Sequence, residues 1–219
     1  MAALSAVEII GIICMVEWGL IHIAAFFMMK GAWHDDIRSV YNAYDELMGV
    51  KEYKDEYDNV GPPGRMQGKV LWQHALNLGW AGAWSGIVVP IYLANHNREA
   101  WMMSLVPYLV DWGYFMAFDW FHLGGKMAQA QTYIVSIGSI MCAISVNTHH
   151  VVPQGEFIVM IIIPSLLIFF GILEKLSVTD YILKCFGMKT RADYDAMGPR
   201  NASAAVAAKE VKVDESDEK

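Results

Sequence analysis

The chain has 219 residues, 55% hydrophobic and 18% charged, and a formal net charge of −7. That charge comes largely from a long hydrophilic loop and the C-terminal tail and says little about partners, but no basic nucleic-acid patch is present, and three cysteines in no metal or redox spacing exclude a disulfide scaffold. Soluble domains are also about half apolar, so what decides the class is how the apolar residues cluster.

Taken in chain order, they fall in five runs, at residues 7–29, 70–94, 101–123, 127–146 and 157–178. At about 1.5 Å per residue each is long enough to cross about 30 Å of hydrocarbon as a helix. The expected fold is therefore an all-α polytopic membrane bundle of about five transmembrane helices. The fourth run is the most polar, with Gln129, Gln131, Thr132, Ser136 and Ser139, so it must be packed inside the bundle if it spans. No Lys or Arg precedes Lys30, unlike a secretory signal, so the first run is expected to stay in the mature protein.

Residues 1–185 form the expected bundle. They include a long hydrophilic loop at 31–68, which ends at a Gly61-Pro62-Pro63-Gly64 break; its stretch from Asp36 to Met48 suits a short amphipathic helix on the membrane. Residues 186–219 are rich in Ala, Lys, Asp and Glu, the composition of a disordered charged tail. With five spans, fifteen of the sixteen basic residues lie on one face, and only Arg98 lies on the other. Basic loops stay in the cytoplasm, so the N-terminus is expected outside and the long loop and tail inside.

Ionisable side chains in hydrocarbon are costly and mark functional positions. The first run carries Glu17 and His22; the second carries Gln73, His74 and Asn77; the third carries Asp111, Asp119 and His122. Counting from the cytoplasmic ends places His22, His74, Asn77, Asp119, His122 and Glu174 in one layer. Glu17 and Asp111 lie roughly 20 Å deep. At about 100° per residue, Asp111, Asp119 and His122 share about 80° of one helix, and Gln73, His74, Asn77, Trp80 and Trp84 about 120° of another. Glu17 and His22 are about 140° apart, so at most one of them faces a common pocket squarely. Trp80, Trp84, Trp112, Tyr114 and Trp120 would supply an aromatic wall suited to a hydrophobic ligand. His96, His149 and His150 fall at the outer interface, where a histidine is ordinarily hydrated. Glu174-Lys175, at the end of the last run, has the form of a snorkelling pair.

Trp18-Gly19-Leu20-Ile21-His22 resembles the Gly-hydrophobic-Ile-His segment of the EXPERA domain, found in emopamil-binding, sterol isomerase-like membrane proteins. Lys51-Glu52-Tyr53, Leu71-Trp72-Gln73-His74 and Asp111-Trp112-Gly113-Tyr114-Phe115 are similar to further segments of that domain, and the match covers residues 17–116. The resemblance implies a sterol-type ligand pocket. Phe26 and Gln73 stand where the isomerase has glutamates, and its last-helix Asn and Trp have no equivalent here. Charge also places the long loop on the side opposite to that family's.

Three functions are consistent with these residues. In the first, the chain binds a sterol-like or isoprenoid lipid and isomerises or cyclises it by proton transfer. His22, His74, Asp111 and Asp119 would carry the proton, and Gln73, Asn77, Trp80, Trp84, Trp112 and Tyr114 would hold the substrate; no cofactor is needed. In the second, His22, His74 and His122 bind haem or a transition metal in a redox protein. In the third, the chain is a non-enzymatic accessory subunit whose polar residues bond neighbouring helices of a membrane complex.

Overall fold

The computed structural model describes residues 3–29, 42, 65–117, 126–176, 178–187 and 190. Every element among them is helical: α1 (Ala6–Met28), α2 (Arg65–Ala83), a π-helical turn (Trp84–Val88), α3 (Val89–Ala94), α4 (Ala100–Ala117), α5 (Lys126–His149), α6 (Gln154–Lys175) and α7 (Val178–Cys185). Four stretches are long and apolar enough to cross a membrane: Ala6–Met28, Trp72–Ala94, Ala130–His149 and Gln154–Lys175. The third expected run is helical as α4, but Asp111 and Pro107 within it lower its hydropathy, and it is not one of those four. The loop at 31–68, apart from residue 42 and residues 65–68, and the tail beyond Thr190 lie outside the described residues, as do Asp119, Trp120 and His122.

The side-chain distribution is that of a bundle in lipid. Ile13, Leu20, Phe27, Ile87, Leu109, Ile162 and Phe169 are exposed, whereas Ser85, Ser104, Thr132, Ser136, Ser139 and Ser145 are buried. Lipid is as apolar as leucine, so small and hydroxylated residues gather between membrane helices and large apolar ones face outward. The polar fourth run, now α5, sits where that rule puts it: it packs against α1, α4 and α6 at the centre. Its Ser139 hydroxyl donates to the Ser104 carbonyl of α4 at 3.3 Å.

Local chemistry sets the helix ends and breaks. Ser5 caps α1 in a capping box, in which the Glu8 carboxylate accepts the Ser5 amide at 2.7 Å. Pro90 cannot donate the next helical bond, and the π turn Trp84–Val88 ends two residues before it. Prolines inside α4 and α6 each deprive a carbonyl four residues back of its donor. Pro107 frees the carbonyl of Met103, which the Trp84 indole N–H bonds at 3.0 Å. Pro164 frees that of Met160, which the Trp101 indole N–H bonds at 3.1 Å. Two tryptophans thus satisfy backbone groups that hydrocarbon could not.

The turn after α3, the start of α1 and the turn after α5 meet at one end of the bundle. There His150 Nε2 bonds the His96 carbonyl at 2.7 Å, and Glu8 reaches both His96 and His149. The short α7 was not among the expected elements. Leu183 is buried on one side of it and Tyr181 exposed on the other, and Gly187 follows with the positive φ (66°) of a helix C-terminal stop.

Candidate functional site

Trp18 and His22 are four residues apart on α1, so they share a face and their rings can meet. They stack, with centroids 3.5 Å apart and an interplanar angle of 20°. His22 Nδ1 lies 2.8 Å from the Trp18 carbonyl, which can only accept, so Nδ1 carries the proton and Nε2 is left as an acceptor. Trp18 is fully buried, and its indole N–H donates to Asp111 Oδ1 of α4 at 3.3 Å. Thr132 of α5 also bonds the Asp111 carboxyl, which is only 3% exposed. The second carboxylate oxygen, Oδ2, is buried without a hydrogen-bond partner. One indole therefore joins a buried carboxyl to an imidazole on the next helix.

Glycines bring the second helix against this group. A Cβ on Gly19 would fall 2.6 Å from the Gly82 carbonyl oxygen and 2.6 Å from the Gly86 nitrogen. A Cβ on Gly82 would fall 3.1 Å from His22 Cβ. The backbones of α1 and α2 thus touch at the level of His22. Half-buried His74 lies on α2, within electrostatic range of His22.

The expected pocket residues divide. His22, His74 and Asp111 lie along the α1–α2–α4 junction. Gln73, Asn77 and Trp80 are on the exposed side of α2, with Trp80 76% exposed. They are exposed where an enclosed wall was expected from their shared face. Trp84 is committed to the Met103 carbonyl. Trp112 packs edge-on against Phe170 of α6, at 5.6 Å between centroids. Tyr114 is half-buried on α4. Glu17 is exposed, in keeping with its 140° separation from His22, which is about what the helical repeat requires. Glu174 is buried, so the snorkelling reading fails for it, while Lys175 lies over the Tyr133 ring at 5.0 Å. Asp119 and His122 cannot be placed relative to the others, since they lie outside the described residues.

Sequence reasoning passed over two things. Trp18 entered only as a motif letter, although its spacing from His22 was a usable signal. The outer histidines are not simply hydrated: Glu8, His96 and His149 bring three potential metal-ligand atoms within 4.8 Å of one another. Glu8 and these histidines are far apart in sequence, and no spacing rule connects them.

The fold and this geometry define an all-helical bundle with an interior polar relay. Comparison with family models, curated proteins and solved structures finds no match for the chain. The EXPERA resemblance therefore rests on the quoted motifs alone.

Proposed function

We propose that this protein is a five-span integral membrane protein, N-terminus outside, that binds a sterol-like or isoprenoid lipid at the α1–α2 seam and exchanges a proton with it at His22. The observation that carries this reading is the Asp111–Trp18–His22 relay. His22 Nε2 is free to accept a proton from an allylic carbon of the lipid, and the imidazolium so formed lies on the Trp18 face, which favours a cation. Asp111 holds the indole from behind and places a carboxyl where positive charge develops. The imidazolium delivers a proton from Nε2 to one alkene carbon, the cation forms at the other, and the neutral ring takes a proton back from the allylic carbon beyond it; the double bond moves and no oxidant or reductant is required. Gln73, Asn77 and Trp80 border the lateral approach, through which a lipid can enter from the bilayer.

The topology has its own support. Arg98 is at the Glu8 end of the bundle, whereas α2 begins with Arg65, α5 with Lys126, and α6 ends with Lys175. A cysteine introduced at exposed Val151 is expected to react with a membrane-impermeant maleimide on intact cells, and Cys185 only after permeabilisation. The reverse pattern would reject the orientation.

Native mass spectrometry with absorption spectroscopy on detergent-purified protein tests the ligand class. A retained sterol or isoprenoid mass, without a haem band, is expected. A lipid-free chain, or one carrying haem through His22 and His74, would sink the proposal.

A further inference from the structure

The end of the bundle opposite His22 holds a second polar group that the lipid site does not use. Along α1, Glu8 is about 21 Å from His22 at the helical rise. Its side chain is fully buried at the mouth of the bundle. Oε2 is committed to the cap, accepting the Ser5 amide at 2.7 Å and the Ser5 hydroxyl at 2.9 Å. Oε1 faces three groups: His96 Nδ1 at 2.6 Å, His149 Nε2 at 2.8 Å and the Ser145 hydroxyl at 3.1 Å. A carboxylate oxygen has two lone pairs, so three donors at one oxygen exceed what it can accept well.

The histidines do not complete the group as a simple ion-pair cluster. Their rings lie face to face, centroids 4.0 Å apart at 33°, an arrangement that two imidazolium ions would resist. As a metal ligand His96 would use Nδ1, which faces Glu8, and carry its proton on Nε2, a buried atom without a partner in the protein. Neutral imidazoles and one carboxylate are instead a metal-ligand set. The backbone supports the same reading. His96 has φ of 51°, a left-handed conformation that a β-carbon disfavours, and His150 pins it by bonding its carbonyl. That strained turn aims the ring at Glu8. Ser5 and Ser145 orient the carboxylate as outer-shell partners do in metal centres.

We infer that Glu8, His96 and His149 bind a divalent first-row transition-metal ion, zinc foremost, at the mouth of the bundle. Two imidazole nitrogens and one carboxylate oxygen suit zinc and its neighbours and leave a fourth position for water or a ligand. The side chains of His96 and His149 are 21% and 32% exposed, which leaves a side open for entry. The ion would tie together the start of α1, the turn before α4 and the end of α5. It is independent of the lipid reading.

The full-length protein, stripped with a chelator in detergent, is titrated with zinc chloride and analysed for metal by elemental analysis. One ion per chain is expected, with X-ray absorption reporting two imidazoles and oxygen around it. His149→Gln should weaken binding about tenfold or more, and His22→Ala should leave it unchanged. The wild-type absorption spectrum needs no variant to fold, so it decides the ligand set on its own. No stoichiometric zinc in the wild type, a ligand shell without two imidazoles, or loss of the ion in His22→Ala would overturn the inference.

Discussion

Trp18 connects a buried carboxyl on α4, Asp111, to an imidazole on α1, His22. Its N–H reaches Asp111 and its face covers His22, so a single side chain serves both helices. Removing the donor while keeping a ring isolates that bond. Trp18→Phe is expected to destabilise the folded protein by about 1–3 kcal/mol, because it leaves a buried carboxyl short of a partner. In an Asp111→Leu background the same change should cost less, with a coupling of about 0.5–3 kcal/mol in a double-mutant cycle. Unfolding in mixed micelles measures both, and strict additivity would mean the contact carries no energy. His22 and Asp111 were legible because ionisable groups stand out in apolar runs. Glu8 was not, because its capping-box position explains it locally and hides its long-range partners.

At the scale of elements, proline and tryptophan are paired. Pro107 and Pro164 would each leave a carbonyl unbonded in a region without water, and Trp84 and Trp101 supply the missing donors from neighbouring helices. Trp84→Phe should therefore destabilise by about 1–2 kcal/mol. In a Pro107→Ala chain, where the alanine N–H can bond Met103, the tryptophan change should cost markedly less. Thermal unfolding of the four proteins checks this, and an equal cost in both backgrounds would refute the pairing. The helices themselves were readable from apolar run length, and the central place of α5 from its serines and glutamine. The role of Trp84 was not. Helical angle put it on one stripe with Gln73 and Asn77, but the neighbouring helix, which sequence does not reveal, claims its N–H. The π turn beside it is likewise a response to Pro90 and to packing on α1, where the Ser85 hydroxyl bonds the Met15 carbonyl at 2.8 Å.

Over the whole molecule, polarity is turned inward and divided between two ends. One end carries Glu8, His96 and His149, and the relay of Trp18, His22 and Asp111 lies deeper, on the far side of it. Composition and run length made the bundle legible, and the segregation of basic residues gave its orientation a physical basis. Gln73, Asn77 and Trp80 are exposed, which a helical wheel alone does not distinguish from an enclosed wall. The central claim is that His22 moves a proton to or from a lipid. Its most direct measurement is solvent deuterium uptake, by mass spectrometry, into a panel of sterols and isoprenoids incubated with the protein in nanodiscs in heavy water. The account predicts uptake into at least one unsaturated lipid, lowered about 10²–10⁴-fold by His22→Ala. Absence of uptake across the panel, or uptake unchanged in His22→Ala, would contradict it.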